Sequence, residues 1–179
     1  MTNIFVTSDL HIGHKKVLEF CPESRPFMSV EEMHYFMIFN WNNRISDNDI
    51  VYILGDVSFA KPQYTDAVLS QLQGYKVLIS GNHDKENLKY KFFRRHFAEI
   101  HDYYELKHGN KLVCMMHYPL IEWNKSRHKN QSVMLHGHMH SRNPEQLLVA
   151  RYDVGLDGTD DFSPYLLDDV LKIIDHRLI

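Results

Sequence analysis

Five short stretches of this sequence concentrate aspartate, asparagine and histidine: Thr7-Ser8-Asp9-Leu10-His11, Gly55-Asp56, Gly81-Asn82-His83-Asp84, His117, and His136-Gly137-His138-Met139-His140. Carboxylate, amide oxygen and imidazole are ligands for borderline dications, and no thiolate bias points to softer metals. Zinc, manganese, iron, cobalt and nickel all fit. Two carboxylates, one asparagine and at least four histidines exceed what one ion takes, whereas two ions roughly 3.5–4 Å apart sharing a carboxylate would use them all. A dinuclear centre is therefore expected. Taken singly, Asp9 with His11 and Gly55 with Asp56 are also ordinary turn pairs. Gly81-Asn82-His83-Asp84 says more, because it offers a ligand, a proton donor and an orienter behind a permissive glycine. Three imidazoles within five residues, at His136, His138 and His140, gain a fold little without a metal or a proton to handle.

The elements that must position these residues are legible as periodic runs. Asn3–Thr7, Asp49–Leu54 and Tyr75–Ser80 read as buried strands. Between the first two, Ser29 and Glu32 form a capping box, and Val30, Met33, Met37 and Trp41 follow at helical spacing. Between the second and third, Pro62 opens a helix with Tyr64, Val68 and Leu72 on its apolar side and Gly74 as its stop. Beyond Ile100 the pattern becomes strand-rich: Glu99–Leu106, a Gly109-Asn110 turn, Lys111–Met116, Ser132–Leu135 and Leu147–Val154. A last helix is expected over Leu166–Ile174. Alternating strands and helices followed by consecutive strands predict an α/β fold of two sheets packed face to face and flanked by helices. Each chemical segment then follows a strand, and in α/β sheets the crevice beyond the carboxyl ends of strands is where ligands bind.

Composition narrows the class. The 179 residues are 44% hydrophobic and 24% charged, and no repeat or linker divides them, so one globular domain is expected. Only Cys21 and Cys114 are present, which excludes a disulfide framework and fits a reducing, cytoplasmic setting. No apolar run approaches the ~20 residues that span a bilayer, and no basic leader precedes the first strand, so neither membrane insertion nor export is expected. The formal charge of −3 argues against a nucleic-acid scaffold, leaving nucleic acid as a substrate only.

Read in order, Asp9-Leu10-His11, Gly55-Asp56, Gly81-Asn82-His83-Asp84, a histidine ahead of a proline at His117, and Gly137-His138-Met139-His140 resemble the calcineurin-like metallophosphoesterase superfamily. The likeness extends to small, cap-less bacterial and phage-type members, and Asp153–Asp157 is similar to a segment seen in them. The resemblance implies a double-sheet sandwich with one metal held by Asp9, His11, Asp56 and His140. The second would be held by Asp56, Asn82, His117 and His138, with Asp56 as the bridge. It implies His83 as the catalytic histidine and Asp84 as its partner. The activity implied is hydrolysis of phosphoesters by a hydroxide that both metals activate, with manganese the cation expected to support turnover in vitro. One position departs from the pattern: Phe59 stands where the family often carries a polar residue, which puts any substrate role there in doubt.

Two dications against two carboxylates leave a positive centre, for which a phosphorylated small molecule or nucleotide is the natural guest. His14 and Arg25 are candidate phosphate contacts, against the alternatives of an exposed helix-start histidine and an ordinary loop arginine. His136 is either a supporting group or a plain buried imidazole. Lys125–Lys129 could overhang the crevice, and Lys89–His96 mixes basic and aromatic residues in a way that also suits an amphipathic helix. Lack of an evident cap favours diesters over monoesters. A phosphomonoesterase, and a metal-holding interaction module without catalysis, are the rival readings.

Overall fold

The computed structural model describes residues 2–128, 130–140 and 150–177. Strands β1 (Ile4–Thr7), β2 (Ile50–Ile53), β3 (Tyr75–Ile79) and β4 (Glu99–His101) run parallel in one sheet, and β9 (Tyr165–Leu166) closes it antiparallel in the order β4-β3-β2-β1-β9. The second sheet has the order β5-β6-β7-β8, from Tyr104–His108, Lys111–Met115, Ser132–His136 and Arg151–Asp153. Among the described residues only its β5–β6 pair is antiparallel.

Alternation along the strands decides the layers, because successive side chains point to opposite faces. Val6, Tyr52, Leu54, Val77 and Ile79 face the second sheet and pack with Val113, Met115, Val133 and Leu135. Helix α6 (Leu167–Arg177) adds Leu167, Val170, Leu171 and Ile174 to that layer. On the other face Phe5, Val51, Ile53 and Leu78 pack against α2 (Val30–Arg44) and α3 (Pro62–Leu69) through Met33, Met37, Trp41, Val68 and Leu69. Each such aliphatic or aromatic side chain contributes roughly 1.5–3 kcal/mol on burial. The expected sandwich is the observed one.

Local signals work as the residues dictate. Ser29 caps α2 by accepting the Glu32 amide at 3.1 Å, while the Glu32 carboxylate reaches back to the Met28 amide at 2.6 Å. Pro62 stands at the first turn of α3, which ends at Leu69, sooner than its apolar spacing suggests. The Lys89–His96 stretch folds as a short helix, α5 (Lys91–Arg94), with Phe93 buried, after the single turns α1 (Val17–Phe20) and α4 (Asp84–Asn87).

One expected strand is divided. Glu99–Leu106 reads as continuous, yet β4 joins the first sheet and β5 the second, with a bend at Asp102 and Tyr103. The segment is where the chain passes from one sheet to the other, a tertiary event without a local pattern. The last expected strand begins at Leu147, and residues 147–149 lie outside the described residues, as does Lys129 of the basic loop.

Candidate metal centre

The loops after β1, β2, β3, β6 and β7 converge at one end of the sandwich. Asp9, His11 and His140 form one group of potential ligands, and Asp56, His117 and His138 form another. In the first, Asp9 Oδ1 lies 3.8 Å from both His11 Nε2 and His140 Nε2. In the second, Asp56 Oδ1 is 3.5 Å from His117 Nε2, and Asn82 Oδ1 is 3.0 Å from that same nitrogen. The other Asp56 oxygen lies 4.0 Å from His11 Nε2. The Asp56 carboxylate thus faces both groups.

The backbone is distorted where these ligands sit. Asp9, His11, Asp56, His138 and His140 all have φ between 50° and 71°, the left-handed region that β-carbons disfavour. Such conformations cost on the order of 1–3 kcal/mol each and persist only where the surroundings over-determine them. The restraints are visible. Arg25 Nη2 donates to the Asp9 carbonyl at 2.6 Å, the Asp9 amide bonds to Gly55 O at 3.0 Å, and the His11 amide to Asp56 O at 3.1 Å. The His138 amide and Ser8 Oγ both donate to Asp9 Oδ2, at 3.0 and 2.7 Å, leaving Oδ1 aimed at the imidazoles. Gly137 permits this contact, since a β-carbon there would fall 2.5 Å from Asp9 Oδ2.

Supporting groups fix which nitrogen each imidazole presents. His117 Nδ1 lies 2.8 Å from the Leu54 carbonyl and therefore donates, turning Nε2 toward Asp56 and Asn82. His140 Nδ1 lies 2.8 Å from Asp157 Oδ2 and its Nε2 faces Asp9, a carboxylate–imidazole pairing typical of metal-bound histidines. Asp157 is in turn held by Arg25, Nε to Oδ1 at 2.8 Å and Nη2 to Oδ2 at 2.6 Å.

Charge follows the same plan. Burial alone would raise the Asp9 pKa, but the adjacent His11 and His140 imidazoles bring it to about 2. Burial depresses His11 to about 4 against the pull of Asp9, which keeps its ring neutral and its lone pair available. Burial also lowers His138, aided by His117. His140 is raised despite burial, because Asp157 and Asp9 stabilise its charged form. Asp157, although buried, is held well below the carboxylate range by Arg25 and His140.

The donor set fits divalent cations on an observation independent of residue type. Asp9 Oδ1 and His11 Nε2 are buried and have no hydrogen-bond partner among the described residues. Their 3.8 Å separation is too long for a hydrogen bond. Leaving such atoms unsatisfied costs about 1–3 kcal/mol each, which a cation placed among them would recover. A third grouping, Cys21 with His140 and Asp157, is a poorer candidate. Asp157 is already committed to Arg25, Ser24 and His140, and burial raises the Cys21 thiol, keeping it protonated.

Other expected site residues fall differently. His83 is exposed, its amide donating to Asp56 Oδ1 at 3.1 Å and its ring 4.6 Å from that of Phe59. Asp84 is buried and does not serve as a ring partner of His83. Its carboxylate accepts three backbone amides, from Asp56 and Gly81 at Oδ2 (2.9 and 2.8 Å) and from Val57 at Oδ1 (2.9 Å). It ties the β2 and β3 loops together. Arg25 is likewise not a surface phosphate contact: its side chain is 0% exposed, with Nε and Nη2 on Asp157, Nη2 also on the Asp9 carbonyl and Nη1 on Met33 Sδ. His14 sits within 2.8 Å of His11, Nδ1 to Nδ1. His136 is buried, with Nδ1 2.9 Å from the Gly137 carbonyl. Asp157 and Phe59 were not singled out as site residues by sequence reasoning. The likeness of Asp153–Asp157 to small family members was the available signal for the first.

A family model for calcineurin-like phosphoesterases matches residues 2–175. The gene 66 protein of Mycobacterium phage D29 is 30% identical over 97% of this chain and 96% of its own length. An uncharacterized protein of Methanocaldococcus jannaschii is 43% identical over 93 residues, 51% of this chain, and the match spans only 52% of that protein. The crystal structure of a protein of unknown function from Aquifex aeolicus superimposes with a TM-score of 0.76 at 22% identity, covering 97% of this chain and 100% of that one, which shows the shared fold. With the match running from Thr2 to Asp175 and the phage relative aligned nearly end to end, the chain belongs to the calcineurin-like phosphoesterase family.

Proposed function

We propose that this protein hydrolyses phosphoesters at a dinuclear centre in which Asp9, His11 and His140 hold one cation, Asn82, His117 and His138 the other, and Asp56 both. The observation that carries this reading is the Asp56 carboxylate, one oxygen turned to His117 and the other to His11. Bound there, two dications would polarise the phosphoryl oxygens and make water nucleophilic near neutral pH. Manganese suits the mixed oxygen and nitrogen donors and is the cation proposed to support turnover.

The chain's own residues do the rest. His83 stands at the surface beside Asp56 and outside both ligand groups, placed to hand a proton to the leaving oxygen, a role worth roughly 10²–10⁴-fold. Asp84 holds the Asp56 and Gly81 backbones so that Asp56 and His83 keep their separation. Arg25 and Asp157 fix the His140 ring.

Phosphodiesters derived from cyclic nucleotides or nucleic acid are the proposed substrate class. His83 and His138 are exposed, so a phosphorus bearing two groups can approach from solvent. A cavity of about 260 Å³ lined by Phe20, Cys21, Pro22, Glu23, Ser24 and His140 offers room for one of those groups. Metal analysis of the purified protein, followed by assay with Mn²⁺ on an aryl monoester, an aryl diester, 2′,3′- and 3′,5′-cyclic nucleotides and short RNA and DNA, tests the reading. Faster hydrolysis of the diesters is expected. Preference for the monoester would overturn the substrate class, and two bound metals with no hydrolysis would make the chain a metal-holding interaction module.

A further inference from the structure

Phe59 and His14 are brought together by an unusual local packing. The His11 and His14 rings lie side by side, Nδ1 to Nδ1 at 2.8 Å, with centroids 5.1 Å apart and planes 22° from parallel. The Phe59 ring stacks on both, 4.2 Å from His14 at 14° and 4.8 Å from His11 at 23°. Backbone contacts fix the two segments: the Ile12 amide donates to Val57 O at 3.0 Å and the Phe59 amide to Ile12 O at 2.9 Å. Between the two histidines, Gly13 has φ +75° and donates its amide to His34 Nε2 at 3.0 Å. A β-carbon at Gly13 would meet Ala60 Cβ at 2.5 Å, so only glycine lets these segments approach so closely.

The arrangement constrains His11 chemically. Its Nε2 is buried and turned toward Asp9 and Asp56. A nitrogen that holds a cation must offer a lone pair, so the proton of the neutral ring belongs on Nδ1. Nδ1–H then donates to His14 Nδ1, which must be unprotonated to accept it. Phe59 lies across the faces of both rings. We infer that His14 and Phe59 are positioning residues for His11, His14 selecting its tautomer as the hydrogen-bond acceptor and Phe59 holding the planes of both rings. This assigns His14 to the cation site through Nδ1, the nitrogen that meets His11. It also gives a role to an apolar side chain at a position where the family often carries a polar one. The inference rests on the proposed reading of Asp9, His11 and His140 as cation ligands.

Calorimetric titration of metal-free protein with Mn²⁺, with kcat and KM measured at saturating Mn²⁺, tests it. His14→Ala and Phe59→Ala should weaken binding of one of the two ions by roughly 10–100-fold, the usual effect of losing a group that orients a metal-bound histidine. His14→Asn, whose Oδ1 can accept the same proton, and Phe59→Tyr, which keeps the ring, should stay within a few-fold of wild type. KM should change little in all four. Unaltered Mn²⁺ binding in His14→Ala with a raised KM would overturn the inference in favour of a substrate contact, as would His14→Asn binding as poorly as His14→Ala. Thermal melting of the metal-free variants separates loss of fold from loss of binding. Wild type that takes up no Mn²⁺ would instead overturn the metal centre itself.

Discussion

Arg25 and Asp157 form a fully buried two-toothed ion pair, Nε to Oδ1 at 2.8 Å and Nη2 to Oδ2 at 2.6 Å, directly behind the imidazole of His140. The pair lies beneath the candidate centre and works through other residues. Arg25 holds the carbonyl of Asp9, and Asp157 holds Nδ1 of His140, so one interaction steadies two of the proposed ligands.

Arg25→Met should therefore act on stability. Removing one partner of a buried pair strands the other charge, at a cost of about 3–5 kcal/mol. Urea unfolding of metal-free protein is expected to show a loss of that order, with KM at saturating Mn²⁺ within a few-fold of wild type. A stable variant with a strongly raised KM would return Arg25 to the substrate.

Asp84→Asn should loosen the β2 and β3 loops. Three backbone amides share the native carboxylate, and an asparagine presents only one oxygen to them. Leaving buried amides unpaired is expected to cost about 1–3 kcal/mol, read by urea unfolding, and to weaken metal binding through the Asp56 backbone. Unchanged stability would show that the loops are held by other means.

His83→Ala should separate turnover from metal content. The side chain lies outside both ligand groups, so two equivalents of Mn²⁺ should still bind while kcat falls by roughly 10²–10⁴-fold. Wild-type turnover would remove His83 from the mechanism.

Acid should unfold the protein partly through His34. The ring is 3% exposed, accepts the Gly13 amide at Nε2 and lies 2.9 Å from Tyr64 Oη through Nδ1. Burial, opposed by Glu31, lowers its pKa from 6.5 to about 4. The unfolded chain therefore binds a proton between these values that the folded chain refuses, and stability is lost as pH falls from 6.5 to about 4. Above pH 6.5 the contribution is fully present. His34→Gln should flatten the profile in that window, as followed by thermal melting from pH 7.5 to 4. An unaltered slope would locate the acid sensitivity elsewhere.

The sequence carried this centre unevenly. Loops that follow buried strands were readable because the runs read as strands, ending at Thr7, Leu54 and Ser80, mark where Asp9, Asp56 and Asn82 must emerge. Helix α2 was readable because Ser29, Glu32 and the spacing of Met33, Met37 and Trp41 are local signals. The pairing of Arg25 with Asp157 was not, since partners 132 positions apart leave no period in the sequence. The backbone contacts of Asp84 were not legible for a related reason. Adjacency to His83 suggested a ring partner, whereas the fold brings the amides of Asp56 and Val57 to its carboxylate. Phe59 looked like an anomaly until its ring was seen against His11 and His14. The bend at Asp102, where the chain changes sheets, had no signal in an otherwise continuous strand pattern.

Counting Mn²⁺ equivalents bound by wild type and by Asp56→Ala, in metal-free protein at neutral pH, reaches the shared carboxylate most directly. Two equivalents in wild type and neither held tightly by the variant are the expected result. A wild type that stops at one equivalent, or an Asp56→Ala protein that keeps both with undiminished affinity, would contradict it.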